Sequence, residues 1–96
     1  MSSSKEYKDY ILENLTILND ITYKPMMGEY LLYYKNVLFG GIYDDRLLIK
    51  KTKSNEKYAL SAEIPYNGAK NMYQIENLED QDLLKNIIID TFSDLK

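Results

Sequence analysis

The chain contains no cysteine and no histidine. The first absence excludes disulfides, thiolate metal centres and a cysteine nucleophile. The second removes the commonest general base and the commonest metal ligand together. Long apolar runs are missing too: no stretch approaches the roughly 18–20 residues that span a bilayer. The opening Met1-Ser2-Ser3-Ser4-Lys5-Glu6 is polar, with none of the apolar core of a signal peptide. These absences predict a cytoplasmic protein with no membrane segment, and no cofactor or metal motif is present. Positive charge is in short supply, with 12 Lys and Arg against 15 Asp and Glu, a net charge of −3. Phosphate neutralisation supplies most sequence-independent DNA affinity, so direct nucleic-acid binding is not expected.

The 96 residues make one domain, residues 1–96. A chain of this length buries about 60–65% of the surface its unfolded form exposes, enough for one modest core. Charge is unevenly placed. Arg46, Lys50, Lys51, Lys53 and Lys57 form a basic stretch, whereas Glu76, Glu79, Asp80, Asp82, Asp90 and Asp94 dominate the last fifth. Two solvated surfaces explain this polarity, and it also suits self-association or partner docking.

Ser3 stands three residues before Glu6, the spacing of a capping box. Tyr7, Tyr10, Ile11, Leu15 and Leu18 then recur on one face of a 3.6-residue period, so residues 4–18 are predicted to form an amphipathic helix. Residues 21–24 read as short extended chain, with Pro25 at a strand edge and Gly28 at a bend. Residues 26–50 hold three apolar runs separated by Lys35-Asn36 and Asp44-Asp45, a predicted three-stranded antiparallel meander with two-residue turns. Those turns place Tyr34 opposite Val37, Leu32 opposite Phe39 and Leu31 opposite Gly40. They also place Tyr43 opposite Arg46, Gly41 opposite Leu48 and Gly40 opposite Ile49.

Alternation then assigns two faces. Leu31, Tyr33, Leu38, Gly40, Ile42, Leu47 and Ile49 are expected toward the core. Tyr30, Leu32, Tyr34, Val37, Phe39, Gly41, Tyr43, Arg46, Leu48 and Lys50 share the other face, aromatic and partly basic. Of these, Tyr30, Tyr34, Phe39, Tyr43, Arg46, Leu48 and Lys50 are the candidate interaction surface. Further along, Ser54 or Asn55 is expected to cap a short helix reaching about residue 62. Pro65-Tyr66-Asn67-Gly68 has turn chemistry, residues 72–75 read as a strand, and Asn77 caps a last helix. There Leu84, Ile87, Ile88, Thr91, Phe92 and Leu95 give the clearest helical period in the chain. The predicted class is α+β: an antiparallel meander packed with N- and C-terminal helices and one short helix.

No pattern points to catalysis. Neighbouring Asp44 and Asp45 diverge in an extended chain, and a turn accounts for them. Glu79-Asp80-Gln81-Asp82 complements a helix dipole. Gly40-Gly41 lacks a following helix and a Gly-Lys-Ser/Thr, so close packing or a bulge explains it better than a phosphate loop.

The meander resembles the TfoX N-terminal domain of the TfoX/Sxy competence regulators. The likeness begins at Ser4-Lys5-Glu6-Tyr7. It is strongest over residues 26–50, as Met-x-Gly-Glu-Tyr-x-Leu-Tyr-Tyr closing on Asp-Asp-Arg-Leu-x-x-Lys, and returns at Pro65-Tyr66-Asn67-Gly68-Ala69-Lys70. Three substitutions depart from the family pattern: Met27 for an aromatic, Lys35-Asn36 for an Asp-Gly turn, and Asn67 for a proline. Gly28, Glu29, Tyr30, Asp44, Asp45, Arg46, Gly68 and Lys70 match the family motif. The resemblance implies structural roles for the first six: a bend, a turn and an ion pair beside it. It implies no catalytic residue. Long members carry a second, helical domain and link to transcriptional control of DNA uptake. This chain is similar to a standalone short form.

Two functions of different class follow. One is a non-enzymatic regulatory module acting through a protein partner or a homodimer. The other is a small-ligand binder or minor enzyme, with a pocket near Tyr58, Tyr66 and Lys70 where Lys70 holds an anionic group.

Overall fold

The structure is a computed structural model that describes residues 3–96. Helix α1 (Lys5–Asn14) is followed by strands β1 (Ile21–Met26), β2 (Glu29–Tyr34), β3 (Val37–Ile42) and β4 (Leu47–Ile49). A single 3₁₀ turn at Glu56–Tyr58 leads to β5 (Ser61–Glu63), β6 (Met72–Gln74) and helix α2 (Gln81–Leu95). The six strands form one antiparallel sheet in the order β1-β2-β3-β4-β6-β5. The class is α+β, as the sequence predicts.

The first four strands are joined by three two-residue turns. Their central pairs are Met27-Gly28, Lys35-Asn36 and Asp44-Asp45, and all six residues have positive φ. This left-handed geometry twists in the same sense as the strands, which is why such turns close hairpins. The last two turns were legible from composition. The first was not, because Met27 is an unusual occupant of a left-handed position; residues 21–26 therefore form a full edge strand rather than a short extended piece. Pro25 is tolerated there because an edge strand leaves one row of N–H groups unpaired.

The β3–β4 register is the predicted one: Gly40 opposite Ile49 and Gly41 opposite Leu48. The β2–β3 register is not. Tyr34 faces Val37 and Tyr33 faces Leu38, but Leu32 then faces Gly40 and Leu31 faces Gly41. Phe39 is the extra residue of a β-bulge. A one-residue slip transfers every subsequent side chain to the opposite face. The expected faces are thus exchanged on β2 and the start of β3, and correct beyond the bulge. Leu32, Tyr34 and Phe39 join Ile42, Leu47 and Ile49 in the core, with Tyr30 packed at its margin. Leu31, Tyr33 and Leu38 lie on the other face, half-buried.

Both helices cover the same face. Ile11, Leu15 and Leu18 meet Leu84, Ile87 and Ile88 over the sheet. Thr91, predicted on the inner face of α2, is fully buried, and Tyr34 meets Phe92 edge to face at 4.9 Å. Helix α1 ends earlier than predicted, at Asn14, and Leu15 and Leu18 reach the core from the turn that follows. Tyr10 is exposed. Lys8 takes its place beneath α1, its ammonium 4.7 Å from the Tyr23 ring centre and 5.6 Å from that of Tyr30. Asp9 holds that ammonium at 2.6 Å, which raises the pKa of Lys8.

Two caps differ from the sequence reading by a few residues, and one helix is shorter. Ser4, not Ser3, accepts the Tyr7 N–H at the start of α1. Asp80, not Asn77, accepts the Leu83 N–H at the start of α2, while Asn77 accepts from Glu79 and Asp80 in the preceding turn. The helix expected to run to about residue 62 is one 3₁₀ turn, and Ser61–Glu63 instead extends the sheet. Asn55 explains the truncation. It is fully buried, accepts from Thr52 N–H, and donates to Lys50 O and Thr91 Oγ1 at 2.8 and 2.9 Å. Its side chain ties the connection to α2 and does not cap a helix.

Candidate functional site

With both helices on one side, the other face of the sheet carries no helix. Leu31, Tyr33, Leu38 and Met72 lie half-buried there around a fully buried Leu48. Gly41 belongs to this face. A Cβ built on it would stand 2.6 Å from the Tyr30 carbonyl oxygen and 2.8 Å from the Tyr43 ring. Tyr43 therefore lies flat over Gly41, and the missing side chain is what seats it.

Arg46 fixes the border of this face. Its Nε donates to Tyr43 O at 3.2 Å and its Nη2 donates to Ile64 O at 3.1 Å. Glu63 stands 3.8 Å from its Nη1. The guanidinium thus holds the β5–β6 connection, residues 64–71, against the sheet. The partner of this turn-adjacent ion pair comes from β5. Pro65 is buried beneath this connection, and Tyr66 lies exposed with its ring centre 6.2 Å from that of Tyr43.

Between sheet and connection lies an open basin of about 1140 Å³. Tyr43, Lys50 and Met72 form its sheet side, and Tyr66, Lys70 and Asn71 its outer side. Every charged residue in the lining is a lysine: Lys50, Lys51 and Lys70. The Lys51 ammonium sits 5.2 Å from the Tyr73 ring centre, so Lys50 and Lys70 are the freer pair. Burial chiefly, with Tyr66, Glu29 and Tyr33 nearby, raises the Tyr43 pKa and keeps its phenol a neutral hydrogen-bonding group.

The candidate surface residues are divided by the sheet. Tyr43, Arg46, Leu48 and Lys50 share the helix-free face. Tyr30, Tyr34 and Phe39 face the helices, and Phe39 has no exposed surface at all. The bulge is the physical cause. Leu31, Tyr33, Leu38 and Met72, which the sequence reading did not assign to this face, complete it. The paired glycines beside Phe39 were the signal that could have marked the slip.

The motif residues are structural for the most part. Ser3 Oγ donates to Glu29 Oε1 at 2.7 Å and accepts the Asp45 N–H at 3.0 Å. Glu29 Oε2 accepts the Asp44 N–H, and Asp45 Oδ1 accepts the Ser4 N–H at 2.8 Å. Together they lash the start of α1 to the Gly28 and Asp44-Asp45 turns. Among the described residues, no group of three or more acidic side chains is placed to hold a metal ion, and no helix is long and apolar enough to cross a membrane.

Tyr58 does not accompany Tyr66 and Lys70. It lies on the helix side and donates to Asp90 Oδ2 at 2.5 Å, with Lys57 Nζ 3.1 Å from the same oxygen. Burial, then this bond, pushes its pKa up to about 12. The same phenol, followed by Lys57, lowers the pKa of Asp90. Ser54 donates twice to Asp94, which lowers that pKa as well. Part of the basic stretch is thus engaged internally by the acidic last helix. No family model matches the chain, and no curated protein matches it.

Proposed function

We propose that this chain is a non-enzymatic interaction module of the TfoX N-terminal type, and that its contact surface is the helix-free face of the sheet. The observation that supports it is the half-buried set Leu31, Tyr33, Leu38 and Met72 on a face that no helix covers. Apolar side chains gathered on one face favour a partner over water. The preferred partner is a second copy. Lys24 pairs with Leu31 at the β1 edge of this face and Glu63 with Met72 at the β5 edge. A copy turned about an axis parallel to the strands sets the β1 edge of one chain over the β5 edge of the other, and Lys24 and Glu63 give those two edges opposite charge. In a regulator this surface would couple the domain to its own kind before any further contact.

Sedimentation equilibrium tests the proposal. The wild-type chain is expected to dimerise, and Leu38→Asp to be a monomer with an unchanged circular dichroism spectrum. A wild-type chain that remains monomeric at about 0.1 mM, well above the Kd of an ordinary homodimer, would overturn it.

A further inference from the structure

We propose that the basin between Tyr43 and the 64–71 connection binds a small phosphorylated ligand bearing a planar ring, the chemistry of a nucleotide. The charge of the basin opposes that of the chain. The protein carries −3 overall, yet the basin is bordered by three lysines and by no carboxylate. Neither Lys50 nor Lys70 takes part in a salt bridge among the described residues. Two like charges left facing one basin at the rim of an acidic protein create a local field that favours an anion. The peptide N–H groups of Gly68 and Lys70 also find no acceptor in the protein among the described residues. Gly68 has a φ of +89° and open space where a Cβ would stand. Its connection can therefore approach a ligand closely.

The aromatic side supplies the rest of the recognition. Tyr66 keeps 60% of its surface exposed although it is anchored from beneath by Tyr43. A tyrosine held on one side and open on the other is a stacking platform for a planar ring. Asn71 adds an amide that both donates and accepts, as the edge of a base requires. Phosphate on the lysines and base on Tyr66 is the arrangement these groups fit. A free mononucleotide fits better than a polynucleotide. The adjoining hollow is lined by two carboxylates, Glu29 and Asp44, and by one cation, Arg46, which is already bound to Tyr43 O, Ile64 O and Glu63, so its charge balance disfavours the next phosphate along a strand.

The basin shares Met72 with the proposed dimer face, so the titration is made on monomeric Leu38→Asp as well as on the wild type, and Leu38→Asp is expected to bind at least as tightly. Calorimetric titration is the test, with four probes: adenosine monophosphate, adenosine, inorganic phosphate and an eight-nucleotide thymidine strand. Adenosine monophosphate is expected to bind saturably and more tightly than adenosine or phosphate alone. Lys70→Glu and Tyr66→Ala, both at exposed positions, are each expected to weaken it about tenfold or more, the first by losing a charged hydrogen bond and the second by losing a stacked ring. Lys5→Glu, on α1, is expected to change nothing. Tighter binding of the oligonucleotide, with steeper salt dependence, would keep the nucleotide chemistry but name a nucleic acid as its source. Binding of phosphate alone with equal affinity would overturn the ring, and no saturable heat with any probe would overturn the site.

Discussion

On the face that carries the helices, Leu32, Phe39, Ile42, Leu47 and Ile49 are entirely removed from water. Across the same sheet, Leu31, Tyr33, Leu38 and Met72 keep part of their surface in contact with it. The two sets are similar in chemistry and interleaved in sequence; Leu38 and Phe39 are neighbours. What separates them is which face α1 and α2 occupy and where the β3 bulge falls. Burial and availability are thus assigned by one extra residue in one strand. Stability comes from the first face, and the proposed contacts fall on the second.

The sharpest break of this comparison is a pair of adjacent truncations. Phe39→Ala empties a fully buried site and is expected to cost about 3–5 kcal/mol. Leu38→Ala, one residue away, removes a half-buried side chain and is expected to cost about 1 kcal/mol or less. Urea denaturation of both variants measures the difference. A larger loss from Leu38→Ala than from Phe39→Ala would contradict the bulge, since the register without it buries Leu38 and exposes Phe39.

A second contrast sets two glycines against each other. A Cβ at Gly40 would stand 2.2 Å from the Leu48 carbonyl oxygen and 2.8 Å from Ile49 Cα, both backbone atoms of the paired strand. Gly40→Ala is expected to cost about 2–3 kcal/mol, since β3 and β4 must separate to admit it. Gly68→Ala meets nothing, and only its positive φ opposes the methyl group, a cost of about 1 kcal/mol. Thermal melts order the two.

The smallest effect concerns the helix side alone. Tyr58 is held neutral, its pKa raised from 10.0 to about 12. A raised pKa means that the folded state favours the proton. The contribution is complete below pH 10 and is lost as pH climbs through about 12. Asp90 behaves oppositely: its lowered pKa contributes stability above the ordinary carboxylate value and loses it as pH falls below that. Tyr58→Phe should flatten the alkaline limb of stability against pH, and Asp90→Asn the acid limb. Neither should alter dimerisation, because both lie away from the helix-free face.

Much of this fold is written locally. Asn36 and Asp44-Asp45 adopt left-handed geometry that their short polar side chains tolerate, and Lys35 completes the first pair, so two hairpins can be read from the residues. The α2 period is equally plain because Leu84, Ile87, Ile88 and Thr91 all face one core. Other features depend on neighbours distant in sequence. Asn55 looks like a helix cap until α2 brings Thr91 beside it. Ser3 has the spacing of a cap until the Gly28 and Asp45 turns claim it. Of the candidate surface, the face of Tyr43, Arg46, Leu48 and Lys50 was legible because they flank a turn whose register is fixed by chemistry, but Leu48 and Tyr43 are buried on that face and only Arg46 and Lys50 keep partial exposure. Tyr30, Tyr34 and Phe39 were misplaced because alternation carries no memory of a bulge.

The amino-acid sequence by itself determined the class, the last helix, two turns, the β3–β4 register, and the absence of thiol and imidazole chemistry. Each of these rests on contacts within a few residues or on composition. Tertiary structure alone decided which side of β2 faces the core, that residues 61–63 extend the sheet, and that Tyr66 and Lys70 share a basin with Tyr43 and Lys50. Those outcomes turn on a slip of one residue and on the packing of segments far apart in the chain. The free-energy differences involved are set by the whole core, and no local pattern encodes them.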